Sequence, residues 1–472
     1  MTTQQQSAGT TAQGAFGWRF VTPMFVGSAL NPVNSSLIAT ALVPIAAAMG
    51  VSVGRTAVLV SALYLASSIA QPTAGKLAEE FGPRRVFLAG ILLVLAGGLA
   101  GGFAVNLTML IIARVLIGVG TSAGYPSAML LIRRRAASAG LDAPPGSVLG
   151  GLVIAGLVTP AVGLPIGGAL VGAWGWRTTF FVNVPLALVA LVMAWIWIPG
   201  DPARDAAAPR SFADVARRLD AAGIAGFGAA MAALLVFLMS LPHPEWIALA
   251  VAVAAAAALT WWELRADRPF FDIRLLGRNR ALSRTYLRWA ILGLCVYTVL
   301  YGVTQWLQAG RGLSALAAGL VLLPMSAAGA IIARPVSQRN LLRLPLLAAG
   351  VSCLAGSAGV LLLTSSTPLA VIVLVTLLFG VTLGTGASAN QTALYAQVDA
   401  AHIGTASGLF RTFGYLGSIA SSAIISIVFH ASVTDHGLHV IGVIMTAVSV
   451  VALVLTVADR RLMSLAKAGS PA

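Results

Sequence analysis

An all-α integral membrane protein that crosses the bilayer about fourteen times is the fold class this sequence predicts, on three observations. The first is composition: 58% of the 472 residues are hydrophobic and only 9% are charged, against about 25% charged in a soluble domain. Too few charges remain to coat a water-facing surface. The second is a succession of apolar runs, each near the roughly 20 residues a helix needs to cross the hydrocarbon core. The third is the placement of the basic residues. The formal charge of +15 falls in short clusters between apolar runs, as a cytoplasmic membrane surface selects. A nucleic-acid partner would require a continuous basic stripe, and none is expected.

The runs lie near 18–44, 55–75, 85–105, 107–131, 148–171, 178–198, 221–241, 245–262, 284–306, 313–335, 344–364, 368–392, 404–430 and 438–458. Backbone groups in lipid must be satisfied within their own segment, so these runs are helices. The polar tail 1–17 lacks the basic start of a signal peptide, so the first run should be retained. With that tail inside, the inner turns hold Lys76, Arg84 and Arg85; Arg133 to Arg135; Arg204, Arg210, Arg217 and Arg218; Arg265 through Arg288; Arg334, Arg339 and Arg343; and Arg460, Arg461 and Lys467. The outer turns hold only Arg55, Arg177 and Arg311. An even helix count alone preserves this asymmetry, with both termini cytoplasmic in a bacterial inner membrane.

The expected domains are a six-helix bundle over 18–198, a linker over 199–220, two extra central helices over 221–262, a second linker over 263–283, a second six-helix bundle over 284–458, and a cytoplasmic tail over 459–472. Pro242-His243-Pro244 joins the central pair, where a re-entrant hairpin would also leave both ends on one side. Parallel halves of this kind are common among secondary transporters. No G-x-x-x-x-G-K-S/T loop is present, so no nucleotide drives the process. Cys295 and Cys353 lie in apolar runs and imply neither a disulfide framework nor a metal site.

The second and third helices are joined by Gly75-Lys76-Leu77-Ala78-Glu79-Glu80-Phe81-Gly82-Pro83-Arg84-Arg85. Gly75 is expected to let helices approach, Gly82-Pro83 to force a tight turn, and Glu79 to cap a neighbouring helix. Arg114 sits inside the fourth run, four residues before Gly118. The fifth run carries Thr159-Pro160-Ala161-Val162-Gly163-Leu164-Pro165-Ile166-Gly167-Gly168, where small residues allow close packing and prolines bend the helix. Trp176 to Pro185 follows as an aromatic string at a helix end. Together these strings resemble the signature motifs of the major facilitator superfamily, and in order they are similar to its fourteen-helix drug:proton antiporters. Glu79 takes the place of the family's aspartate, Glu80 that of a basic residue and Pro83 that of an arginine. The resemblance implies a gating role for Gly75, Glu79, Gly82, Arg84 and Arg85, and an antiporter-type motif at Pro160, Gly163, Pro165, Gly167 and Gly168.

The first helix departs from that family. Asn34 occupies the place of its usual aspartate, followed by Ser35 and preceded by Asn31-Pro32, which should break the helix and turn polar groups to a cavity. None of the fourteen acidic residues lies deep in an apolar run. A proton antiporter needs a titratable group, and the candidates are Glu79, Asp220, Glu263 and His430. Arg114 and Arg411 are intramembrane cations, either cavity-facing, which would favour an anionic substrate, or bonded to backbone carbonyls and structural. Tyr64, Gln71, Tyr301, Gln305, Trp306, Asn390 and Gln391 complete the expected substrate contacts, with helix-to-helix bonding as the alternative for each. Gly120-Thr121-Ser122-Ala123-Gly124 matches a hydrolase pattern by chance, lacking a preceding strand and a base. Asp435, His436 and His439 are read as solvated loop residues and not as a metal site.

The resemblance therefore implies no enzyme and no cofactor, but proton-linked efflux of drug-like or amphipathic small molecules by alternating access. Two alternatives stand beside it: a carrier for a specific organic anion, and a non-transporting membrane sensor or assembly factor. A periplasmic adaptor partner is not evident in the sequence.

Overall fold

The computed structural model describes residues 16–141, 146–201, 216–217, 219–240, 244–267, 269–270, 273–338, 342–398 and 403–459. These are helices and turns throughout. In chain order they are α1 (Trp18–Leu37), α2 (Leu42–Met49), α3 (Val58–Phe81), α4 (Pro83–Gly102), α5 (Leu107–Ser122), α6 (Gly124–Ser138), α7 (Gly146–Trp174), α8 (Thr178–Phe181) and α9 (Asn183–Trp197). There follow α10 (Ala221–Met239), α11 (Trp246–Glu263), α12 (Ile273–Arg278), α13 (Arg280–Thr298), α14 (Ala315–Gln338), α15 (Arg343–Val360), α16 (Leu369–Gln397), α17 (Ile403–Val428) and α18 (Asp435–Val457). Among the described residues twelve helical stretches are long and apolar enough to cross a membrane, or thirteen with a bent pair at the start. Helix α7 adds a further 29-residue helix. Of the predicted central turn, Pro242 and His243 lie outside the described residues.

Helix packing repeats. α1 packs on α7 as α13 packs on α17; α3 packs on α5 as α14 packs on α16; α4 packs on α9 as α15 packs on α18. Two contacts of the same kind, α3 with α17 and α7 with α14, join the halves. The pair α10 and α11 packs chiefly on itself, with α10 resting on α3 and α17. α11 exposes Trp246, Ile247, Val251, Val253, Trp261 and Trp262, which is stable only where the surroundings are as apolar as the side chains.

The predicted break at Asn31-Pro32 is absent. α1 runs through Pro23 and Pro32, and the chain turns by 60° only between residues 18–40 and 42–49. The cause is Pro44, which has no N–H for the Thr40 carbonyl and whose ring clashes with it. A 3₁₀ turn over Ile38–Thr40 takes up the strain, and Pro44 itself falls in the tolerated first turn of α2. At Pro32 the loss is one hydrogen bond, and packing that buries every residue from Asn34 to Leu42 outweighs it. The two glycine-proline strings differ likewise: Gly82-Pro83 makes a turn, with Gly82 at φ +98° and Pro83 opening α4, whereas α7 continues through Pro160 and Pro165.

Candidate functional site

The two halves meet most closely at the end of the molecule away from the basic turns. There Gly54 donates its N–H to the Phe429 carbonyl at 3.2 Å, and Ser61 and Ser422 are hydrogen-bonded. A Cβ on Gly168 would stand 2.5 Å from the Ala315 carbonyl oxygen, and one on Gly319 2.7 Å from that of Leu164. Only glycine permits α7 and α14 to lie so close. Gly163 and Gly167 face Ser36 and the Leu37 carbonyl with the same lack of room, so this motif seats α7 on α1 and α14 at once. Pro165 is half-buried, and the Pro160 side chain lies outside the described residues.

Toward the basic end the contact becomes polar and aromatic. The Tyr301 hydroxyl donates to the Ser35 carbonyl at 3.0 Å and therefore accepts from Tyr64, 3.2 Å away. Tyr297 stacks on Tyr301 with ring centroids 6.0 Å apart, and Tyr64 lies 5.3 Å from Tyr297 and 5.4 Å from Tyr415. Tyr415 donates to the Gln71 side-chain oxygen at 2.5 Å. One turn before Tyr415, the Arg411 guanidinium lies over the ring of Tyr125, 3.9 Å from its centroid. This series of contacts joins α1, α3 and α6 to α13 and α17. Among the described residues no Asp or Glu belongs to it.

Arg114 stands beside this network, 1% exposed. Its Nε donates to the Leu59 carbonyl at 3.0 Å and Nη1 to the Asn34 carbonyl at 3.2 Å, while Nη2 has no acceptor. Its first role is thus to bond backbone, with one donor group to spare. Asn31 bonds Ser67 and Thr121 at 3.0 and 2.9 Å, joining α1 to α3 and α5. Asn34 does not face a cavity: it is 2% exposed and donates to the Asn183 side chain at 2.7 Å, inside the first half. An uncharged amide opposite another amide is satisfied where an aspartate would need a cation or a proton.

Trp306 is no cavity wall. Its indole N–H donates to Asp435 at 2.8 Å, and Asp435 also accepts the Ser365 N–H at 2.8 Å, a clasp at the far end. Gln305 is fully buried with both amide atoms unpartnered, between two π-helical turns at Val299–Val303 and Trp306–Gly310. Gln391 donates to the Tyr395 hydroxyl, one turn on, at 2.9 Å. Asn390 accepts from Arg288 Nε at 2.7 Å. Arg288, expected in a basic turn, is instead buried within α13, and Asp459, expected in a solvated tail, lies 3.9 Å from it and 3.6 Å from Arg284.

The 75–85 segment is also rearranged relative to expectation. Glu79 is exposed and caps nothing among the described residues. Asp201, following α9, accepts the N–H groups of Arg84 at 3.2 Å and Arg85 at 3.0 Å and pairs with Arg134 at 3.6 Å. Arg84 in turn donates to the Trp195 carbonyl at 2.8 Å. Gly75 has room for a methyl group, its nearest neighbour being Pro126 at 3.7 Å. The spacing of 117 residues between Arg84 and Asp201 left no sequence signal for that cap. Tyr297, Tyr415 and Tyr125 had one: they are four residues from Tyr301, four from Arg411, and in an apolar run, respectively.

Residues 24–422 match the family described as the Major Facilitator Superfamily. An uncharacterized MFS-type transporter, YwoD of Bacillus subtilis (strain 168), is 32% identical over 95% of this chain and 98% of its own length. The tetracenomycin C resistance and export protein of Streptomyces glaucescens is 28% identical over 91% of this chain and 79% of its own. Among solved structures, the peptide transporter POT in complex with sulfate superposes with a TM-score of 0.65 at 15% identity, over 99% of each chain. The nucleoside transporter NupG gives 0.63 at 12% identity, over 93% of this chain and 99% of its own.

Proposed function

The chain belongs to the Major Facilitator Superfamily, and from that premise we propose that it exports amphipathic, drug-like small molecules by alternating access. It is a multi-pass transporter and not an enzyme. The observation that carries the proposal is the run of weak, polar cross-half contacts from Ser35 and Tyr64 to Tyr415 and Arg411. Close backbone packing at glycine, with the Gly54–Phe429 and Ser61–Ser422 bonds, seals the far end, whereas tyrosine and amide side-chain contacts farther in can be exchanged for contacts to a solute. Tyr64, Gln71, Tyr301 and Arg411 are the substrate contacts we assign, with Ser35 supplying a carbonyl. Asn31, Asn390 and Gln391 support the helices that carry them, and Arg114 bonds backbone on two donors while keeping Nη2 free to meet a solute.

Export is the direction we assign, supported by relatives named as export and multidrug resistance proteins. We place the chain among the fourteen-helix antiporters, with α10 and α11 as the extra pair, α7 as the fifth span and both termini on the cytoplasmic side. The proton gradient is the energy source that resemblance implies. Its four candidate groups stand at helix ends or turns, so coupling would run through an end of the molecule. Purified protein in liposomes with an imposed pH gradient should expel fluorescent amphiphiles, and collapse of the gradient should stop it. No gradient-dependent movement across a broad panel would refute the proposal.

A further inference from the structure

We infer that the central site takes planar aromatic compounds bearing an acidic group, and discriminates against organic cations. The inference deepens the export reading and rests on its Tyr64, Tyr301 and Arg411, to which it adds Arg114, Tyr297 and Tyr415. Its first support is charge. Arg411 and Arg114 are guanidiniums inside the helical bundle, and among the described residues every carboxylate lies outside the network, at helix ends and turns. A guanidinium remains charged in any such setting, so the site is cationic. A quaternary ammonium or protonated amine would enter against that charge with nothing to neutralise it. An anion supplies the counter-charge that the chain itself omits.

The second support is an unused donor. Arg114 is 1% exposed, and its Nη2 has no acceptor although Nε and Nη1 are both bonded to carbonyls. Buried donors are almost always paired, and a guanidinium is a fork made for carboxylate oxygens. The third support is ring geometry. Tyr297 and Tyr301 stack with an interplanar angle of 10°, and Tyr64 is tilted at 37° to Tyr415 with centroids 5.4 Å apart. The rings cover one another in this state, and the faces they would present on parting suit a flat ring, since stacking on tyrosine is tolerant of ring substitution. Hydroxyls of the same tyrosines bond one another and Ser35, leaving orientation to the charged end of the solute. Two features are thus read together: aromatic faces fix the class of scaffold, and unpaired guanidinium capacity fixes its charge.

The test compares three compounds on one scaffold: 1-naphthoate, its methyl ester and 1-naphthylmethylammonium. Binding to the purified full-length protein in detergent is read by thermal stabilisation at fixed pH. The carboxylate should stabilise at the lowest concentration, the ester should require about tenfold more, and the ammonium compound should not stabilise at all. Arg411→Gln should weaken the carboxylate about tenfold and leave the ester unchanged, and Arg411→Lys should restore most of the loss. Arg114→Gln bears on packing as well, so the Arg411 pair decides. Equal or tighter binding of the ammonium compound, an Arg411→Gln variant that binds naphthoate normally, or no stabilisation by any of the three would overturn the inference. Gradient-driven movement of cationic dyes with no naphthoate binding would also sink it while leaving export intact. Naphthoate binding with no transport of any compound would support the charge reading and refute export.

Discussion

Substituting Gly168 by alanine asks whether the far-end seal is set by backbone contact between α7 and α14. The added Cβ would lie 2.5 Å from the Ala315 carbonyl oxygen and 2.7 Å from the Leu316 Cα. Both are backbone atoms, so no side chain can rotate away, and reaching an ordinary 3.4 Å contact means parting the helices by roughly 0.9 Å. Overpacking of this kind costs about 1–3 kcal/mol. If the cost falls on the sealed state alone, the equilibrium moves toward a far-open state by about 5–150-fold. Gly172, one turn along the same helix, would have nothing within 4 Å of an added methyl group and serves as control. The assay is the rate at which an impermeant maleimide, added from the far side, labels a cysteine introduced at Ser422. The native Cys295 and Cys353 are fully buried and can be replaced beforehand. Gly168→Ala should label at least about fivefold faster, and Gly172→Ala at the parent rate. Equal rates for both variants would refute the reasoning, since the seal would then not depend on the missing side chain.

Three further outcomes follow from single contacts. Asp201→Asn should destabilise the start of α4 by about 0.5–2 kcal/mol, seen as faster amide exchange at Arg84 and Arg85, whereas Glu79→Gln should leave that exchange unchanged. Removing one member of the buried Arg288–Asp459 pair should cost about 3–5 kcal/mol of thermal stability, and Arg288→Met with Asp459→Leu should recover much of it in a double-mutant cycle. Tyr301→Phe removes the donor to the Ser35 carbonyl, a bond across the halves, and should cost about 0.5–1.5 kcal/mol while preserving the stack on Tyr297, read by thermal stability with and without ligand.

The alternation of apolar runs with basic turns was legible because membrane insertion is governed by local solvation, residue by residue along a helix. For the same reason Gly163, Gly167 and Gly168 could be read as close-contact positions: a glycine inside an apolar helix forfeits stability unless another backbone takes the space. The sequence also yielded Tyr64, Gln71, Tyr301 and Arg411 as polar groups that a membrane would not carry without purpose. It misread Asn31-Pro32 as a break, because whether a proline bends a helix depends on the packing around it, and Pro44 had the stronger local claim.

Partnership was the part that chain order could not supply. Asn34 and Asn183 are 149 residues apart, Tyr64 and Tyr301 237, and Gln71 and Tyr415 344. Which polar group satisfies which is decided by helix rotation and crossing, quantities that hydrophobic periodicity leaves undetermined when lipid and protein are equally apolar neighbours. Asp201 replaced Glu79 as the helix cap, and Asp459 left the solvated tail for a buried pair with Arg288, for that reason. The amino-acid sequence alone determined that these side chains live in a bilayer and that some must find polar company there. Only the tertiary structure decided which tyrosine, amide and guanidinium groups keep company in the central network, and that Arg288 finds a carboxylate in Asp459, because that is set by which helix faces meet.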